Sequence, residues 1–234
     1  VSYSVIVPSK NIYNLRPCVE AIRKQQPDAD VLIVNDGIDA RACERIEGCL
    51  WTPGETPFIF ARNINIGIRA VPKEDDVILL NDDTLLETEH GFDLLAETAQ
   101  DPNVGLVSPV FDFVGNPNQR PKATGGVREE PDWVLCFVCV YVPRRVLNMA
   151  GLLDERFTGY GAEDNDYSIR VKKAGLKLMI DDRVFVNHTA LKSTFRTQPG
   201  WRREMDRAMG LLREKWGMDQ EQVVPERYLR GMPK

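Results

Sequence analysis

Short, continuous apolar runs alternate along the chain with longer stretches in which apolar positions recur every three or four residues. Ser4-Val-Ile-Val-Pro-Ser-Lys-Asn11, Asp30-Val-Leu-Ile-Val-Asn-Asp-Gly37, Pro57-Phe-Ile-Phe60 and Asp76-Val-Ile-Leu-Leu80 read as strands. Runs of this kind, apolar on both faces, belong to parallel sheets covered on both sides. Between them, Leu15, Val19 and Ile22 mark one face of a helix that Asn14 can cap, with Pro17 tolerable as a first-turn residue. Further helices are expected from Ala40 to Ile46, from Ala61 to Ala70 and from about Glu89 to Gln100. Strand and helix in regular alternation predict an α/β fold with a doubly wound, mainly parallel sheet.

The second half is less regular. Val104–Val107 and Trp133–Val142 read as strands, and Pro143 opens a short helix. Asp112 to Pro131, rich in Gly, Pro and Asn, is too long for a plain connection and is expected to be a loop over the active site. A helix runs through Tyr167, Val171 and Ala174 and closes at Gly175, followed by two small strands around Leu178 and Phe185. From Trp201, the spacing of Met205, Ala208, Met209, Leu212 and Trp216 marks a last amphipathic helix.

Composition narrows the class. At 234 residues and 43% hydrophobic content the chain suits one domain with a sizeable core. The division expected is 1–190 as the main domain and 191–234 as a basic helical extension packed on it. No run approaches the ~20 apolar residues of a membrane span. The opening Val1-Ser-Tyr-Ser-Val-Ile-Val7 lacks the basic region and cleavage site of a signal peptide. Five scattered cysteines suggest reduced thiols and a cytoplasmic protein. Cys136 and Cys139, on opposite faces if their run is a strand, do not suggest a joint metal or redox role. Net charge is −5, but residues 191–234 hold ten Lys/Arg against six Asp/Glu, so +4 sits there and −9 on the rest. Such a chain is not a general nucleic-acid binder, although its tail could meet an anionic acceptor or the periphery of a lipid surface.

The candidate chemistry lies where apolar runs stop. Leu80 is followed by Asn81-Asp82-Asp83, and adjacent acids at the carboxyl end of a buried strand occupy the ligand edge of an open α/β sheet. A divalent cation that clamps a phosphate would justify the repulsion. The plainer alternative is an acidic turn with Asp83 capping the next helix. Asp36 before Gly37 and Glu163-Asp164 before a helix repeat the pattern, and His188 ends a strand.

These stretches, with Ala61-Arg-Asn-Ile-Asn-Ile-Gly67, Gly151-Leu-Leu-Asp-Glu-Arg-Phe157 and Gly161-Ala-Glu-Asp-Asn-Asp166, resemble the family-2 glycosyltransferases, and rhamnosyltransferase-like members in particular. The resemblance runs from Ser4 to His188 in the family's order. It implies a GT-A fold, Rossmann-like, with a smaller acceptor-side subregion. It implies transfer of a sugar from a nucleoside-diphosphate sugar to an acceptor hydroxyl with inversion. Asp83 and His188 would hold Mn²⁺ or Mg²⁺, and Asp36 would meet the nucleotide base. Pro8, Lys10, Arg62, Asn63, Gly67, Asn81 and Asp82 would surround the nucleotide sugar. Asp164 would be the general base, with Tyr160, Gly161 and Glu163 on the acceptor side. The family's motif often has aspartate where Asn81 stands, which weakens direct metal contact there.

The acceptor stays open among glycan, lipid-linked sugar, protein and modified nucleobase, and so does the oligomeric state. Two other classes compete. A nucleotidyltransferase would carry a Gly-rich basic loop after its first strand, and Val7 to Asn14 holds no glycine. A sugar-nucleotide-binding domain without transferase activity would differ only in assay. Arg202 and Arg203 could form an acceptor wall or merely a solvated helix face.

Overall fold

The computed structural model describes residues 1–43, 46–123, 125–158, 161–192 and 199–219. Its elements are β1 (Tyr3–Ser9), α1 (Ile12–Gln25), β2 (Asp30–Asn35), α2 (Ala40–Cys43), β3 (Leu50–Pro53), α3 (Phe60–Ala70), β4 (Asp76–Leu80), β5 (Leu85–Leu86) and α4 (Gly91–Thr98). There follow β6 (Val104–Phe111), β7 (Val127–Glu129), β8 (Cys139–Val142), α5 (Arg144–Ala150), α6 (Glu163–Lys173), β9 (Lys177–Asn187) and α7 (Trp201–Trp216).

One mixed sheet carries the strands in the order β3-β2-β1-β4-β8-β6-β9-β5, with β7 also on β9. The first four are mutually parallel. β8 is antiparallel to both β4 and β6, so β6 runs with β4, and β9 is parallel to β6. The carboxyl ends of β1, β2, β4, β6 and β9 therefore emerge along one edge. That edge is where open α/β sheets bind ligands. One apolar cluster packs α1 and α4 on one face of the sheet, and a second packs α3, α5 and α6 on the other. Gly67 marks the closest approach: a Cβ there would lie 2.4 Å from Ile6 Cγ2 and 3.1 Å from Val34 Cγ2. Its visible role is to let α3 lie on β1 and β2.

Several elements differ from the expectation. The third strand is Leu50–Pro53, not Pro57–Phe60, because Phe60 already opens α3. Asn11 caps α1 by accepting the Tyr13 amide at 3.1 Å, which puts Pro17 in the second turn and leaves Asn14 buried inside the helix. The run from Trp133 is a strand only from Cys139, and β6 extends to Phe111. The two small strands near the end are one, β9. The loop after Asp112 includes β7, which returns to pair with β9. Cys136, outside the strand, packs against the same cluster as Cys139 and so does not face away from it. The five cysteines are thiols rather than disulfides, and burial pushes Cys18 and Cys139 far above their ordinary range, as suits inert core residues.

α7 lies against the body. Ala208 and Leu212 join Trp133, Val134, Phe157 and Ala162 in a third cluster, flanked by Met209 and Trp216. No helix among the described residues is long and apolar enough to cross a membrane.

Candidate active site

The sheet edge gathers the candidate residues into a continuous line. At the end of β2, Asn35 makes the turn itself, its Oδ1 accepting the Ile38 amide at 2.7 Å. That leaves Asp36, buried, with its carboxylate accepting from the Thr56 hydroxyl at 2.7 Å beside Gly37 at φ +95°. The Asp36 amide donates to the Ser9 carbonyl at 2.9 Å. The Ser9 hydroxyl in turn donates to Asp82 Oδ2 at 2.6 Å. Burial and the neighbouring Asp83 push the Asp82 carboxyl up to about 7, opposed by the bonds from Ser9 and Asn14. Pro8 is buried within β1 opposite Val34, and Lys10 stands over the Phe58 ring at 5.5 Å.

Asp83 does not cap a helix. The residues after it form β5, paired with β9, and α4 begins only at Gly91. Asp83 is buried, and its Oδ1 lies 3.7 Å from His188 Nε2. The other ring nitrogen, Nδ1, lies 2.9 Å from the Phe113 carbonyl. A carbonyl can only accept, so Nδ1 carries a proton, and in the neutral form of the ring the Nε2 lone pair faces Asp83. Two acceptors then face each other at a separation too long for a hydrogen bond. Two ligands of one cation, each about 2.0–2.2 Å from it, can stand at such a spacing. A histidine that donates its second nitrogen to a backbone carbonyl has the support typical of a metal ligand. Among the described residues, no three His, Cys, Asp or Glu side chains converge as a complete metal cage. The pair therefore suits a cation whose other positions go to phosphate oxygens and water, as hard cations on nucleotides are commonly held.

The acid pair joins the same line. The Asn81 amide donates to the Val138 carbonyl at 2.9 Å, and the adjacent Phe137 amide donates to the Asp164 carboxylate. Asp164 also accepts the Asn165 amide at 2.8 Å, at the amino terminus of α6. Burial raises both Glu163 and Asp164, Glu163 further because Asp164 is charged beside it. Glu163 Oε2 is buried with no hydrogen-bond partner among the described residues. Just before the pair, Ala162 is fully buried at φ +75°, a conformation that costs a non-glycine residue about 1–2 kcal/mol and that collects at functional sites. Gly161 precedes it at φ +87°, and Tyr160 lies outside the described residues.

Arg62 and Asn63 are engaged with a loop rather than with open space. Arg62 Nη2 donates to the Glu55 and Pro57 carbonyls, and its Nε pairs with the Glu55 carboxylate at 3.2 Å. Asn63 Oδ1 accepts the Glu55 amide at 2.9 Å. They brace the segment that offers Thr56 to Asp36 and Phe58 to Lys10.

Three residues of this edge escaped the sequence reading. Ser9 holds Asp82. Asn14, read as a cap, donates to the Lys192 carbonyl at 3.0 Å and also bonds Asp82, tying the segment after β9 to the acid turn. Asp112 follows β6 as Asp82 follows β4, accepting the His188 amide at 2.8 Å, the Phe113 amide at 2.9 Å, and the amide and hydroxyl of Thr189. Ending that strand at Val107 hid the repeated strand-then-acid signal.

No family model matches the chain, and no curated protein does. Solved structures do. GalNAc-T7 with UDP, GalNAc and Mn²⁺ superposes with a TM-score of 0.68 at 13% identity, over 99% of this chain and 56% of that one. The mannosyltransferase PcManGT from Pyrobaculum calidifontis, with GDP-Man and Mn²⁺, gives 0.70 at 19% identity, over 97% of this chain and 68% of that one. The fold is GT-A. Likeness at such identity establishes the GT-A architecture alone, and the chain spans little more than half the length of GalNAc-T7.

Proposed function

We propose that this GT-A chain is a metal-dependent glycosyltransferase that moves a sugar from a nucleoside-diphosphate sugar to an acceptor hydroxyl with inversion. The observation that carries it is the His188–Asp83 pair, an imidazole nitrogen and a carboxylate oxygen 3.7 Å apart on the ligand edge of the sheet. The GT-A neighbours that hold UDP or GDP-Man together with Mn²⁺ support the same reading. Asp83 and His188 would hold the divalent cation, and a nitrogen ligand suits Mn²⁺ as well as Mg²⁺. When bound, the cation neutralises the diphosphate and stabilises it as leaving group, so no general acid is required.

The chain's own residues do the rest. Asp36, oriented by the Thr56 hydroxyl, accepts a hydrogen bond from a ring N–H of the base; uracil, thymine and guanine each carry one. Lys10 and Phe58 flank the same end of the cleft. Asp82, steered by Ser9 and Asn14, faces the sugar and ribose side with Asn81. Asp164 takes the proton of the acceptor hydroxyl as its oxygen attacks the anomeric carbon. Burial makes Asp164 more basic than a surface aspartate, while amide donors and the start of α6 limit the rise. Glu163 and Gly161, with Tyr160, form the acceptor side, and exposed Arg202 and Arg203 stand on α7 as a basic surface for an anionic acceptor.

The test is a panel of UDP-, GDP- and TDP-sugars with Mn²⁺ or Mg²⁺, read by release of the nucleoside diphosphate. Turnover or hydrolysis of at least one donor, abolished by EDTA and by Asp83→Ala, is expected. Metal-dependent donor binding with no turnover in the presence of glycan, lipid-linked and protein acceptors would instead mark a binding domain. No binding at all would refute the reading.

A further inference from the structure

Asp166 is a buried acid outside the proposed chemistry that is held by three side chains. It is fully buried on the first turn of α6, two residues past Asp164. Its Oδ2 accepts Arg170 Nε at 3.0 Å. Its Oδ1 accepts Trp216 Nε1 at 2.9 Å and Lys215 Nζ at 2.6 Å, both from the last turn of α7. Lys215 also bonds Asp154 Oδ2 at 2.7 Å, and Arg207 donates to the Thr158 hydroxyl. The bond from Arg156, against some cost of burial and with help from Lys215, holds the Asp154 carboxyl well below the usual range.

α7 thus grips the segment that delivers the acid pair at three points, Asp154, Thr158 and Asp166. Between them its apolar stripe covers the left-handed turn. Ala208 and Leu212 pack in one cluster with Ala162, and a Cβ on Gly161 would lie 3.8 Å from Met205 Cγ. A strained residue such as Ala162 persists only where its surroundings over-determine it, and α7 supplies much of that surrounding.

Resting on the glycosyltransferase reading, we propose that α7 is a positioning strap: Lys215 and Trp216 act through Asp166 to set where Asp164 and Glu163 stand. They are positioning residues and touch neither donor nor acceptor. The donor-side groups Asp36, Asp83 and His188 follow β2, β4 and β9, whereas Lys215 and Trp216 bond to Asp154 and Asp166 of the acid segment. The strap also explains the apolar stripe of the basic tail: it is occupied by its own domain and is not free to enter a membrane.

Trp216→Phe removes one hydrogen bond while keeping an aromatic ring, Lys215→Met removes both ion pairs while keeping the stem, and Lys215→Arg restores the charge. Two measurements decide. Hydrogen exchange followed by mass spectrometry should show peptides within 154–168 losing protection in Trp216→Phe and Lys215→Met, with β1, β2 and β4 unchanged. Steady-state kinetics should show kcat falling about 10- to 100-fold, the scale of a displaced reacting group, with donor KM unchanged and Lys215→Arg partly restored.

Unaltered exchange over 154–168 overturns the strap whatever the activity. Faster exchange with wild-type kcat overturns its positioning role. A purely structural contact would lower the melting temperature and the active fraction without changing kcat per folded molecule or its pH profile. A wild-type protein inert toward every donor would instead overturn the transferase reading, and exchange would still decide whether α7 holds the acid segment in place.

Discussion

Asp112→Asn tests whether His188 is aimed as a ligand by its surroundings. Asp112 Oδ1 accepts the amides of Phe113 and His188, and Oδ2 accepts the amide and hydroxyl of Thr189. Asparagine can keep the Oδ1 contacts, but its NH₂ then meets the donors of Thr189. The variant loses hydrogen bonds to a charged acceptor, each contributing about 1.5–3 kcal/mol, and gains a donor–donor contact. The Phe113 carbonyl that fixes the imidazole tautomer is one residue away, so the disturbance reaches the ring directly. Outer-shell losses of this kind lower metal affinity about 10- to 100-fold. That is about 1.4–2.7 kcal/mol, which the loss of a single such bond can supply. The assay is calorimetric titration of UDP and GDP with and without Mn²⁺. The metal-dependent gain in affinity should shrink by that factor, and metal-free affinity should hold. An unchanged gain in a folded variant would refute the tautomer argument. The pH dependence gives a second check. Burial opposes ionisation of Asp112, yet the Thr189 hydroxyl and the backbone amides hold its carboxyl below the ordinary value. A depressed folded pKa gives stability that is present above the unfolded value of about 3.9 and lost as pH falls through the folded one. The deficit in Tm of Asp112→Asn should therefore be full at pH 7 and close as the solution is acidified below about pH 4.

The other predictions concern the acid pair and the core. Asp164→Asn should keep nucleotide affinity and cut kcat by roughly 10²-fold or more; near-wild-type turnover would leave Asp164 only its local bond to the Asn165 amide. Glu163 has a folded pKa raised by burial and by Asp164, so the folded state binds more protons and stability falls as pH rises from about 4.3. Glu163→Gln should therefore gain in Tm over the wild type at pH 8 and lose that gain near pH 4, and a pH-independent difference would count against the buried acid. Gly67→Ala would place a methyl 2.4 Å from Ile6 Cγ2, and overpacking of about 1–3 kcal/mol should outweigh the ~1 kcal/mol gain in helix propensity. Urea unfolding at or above wild-type stability would show that α3 can shift off the sheet at no cost.

The periodicities of the chain were enough for its class. Val5–Val7, Val31–Val34 and Val77–Leu80 are buried on both faces of the sheet, as short β-branched-rich apolar runs bounded by turn residues are read. The acids that stop those runs, Asp36 and Asp82-Asp83, could be placed on the ligand edge from sequence alone, because a parallel strand carries its direction with it. The turn after β2 was harder, since Asn35 and Asp36 both suit a turn and only the Ile38 amide decides between them. Contacts between distant segments were not legible. That β8 inserts antiparallel and restores β6 and β9 to the common direction depends on sheet order, which no local pattern encodes. Only that order brings Asp112 and His188 to the edge that holds Asp83. The same holds for α7: its stripe announced a docked helix, but the partner of Lys215 and Trp216 is Asp166, about fifty residues away. A local signal reports what each residue would bury; which carboxylate meets which cation is decided by the packing that closes the fold.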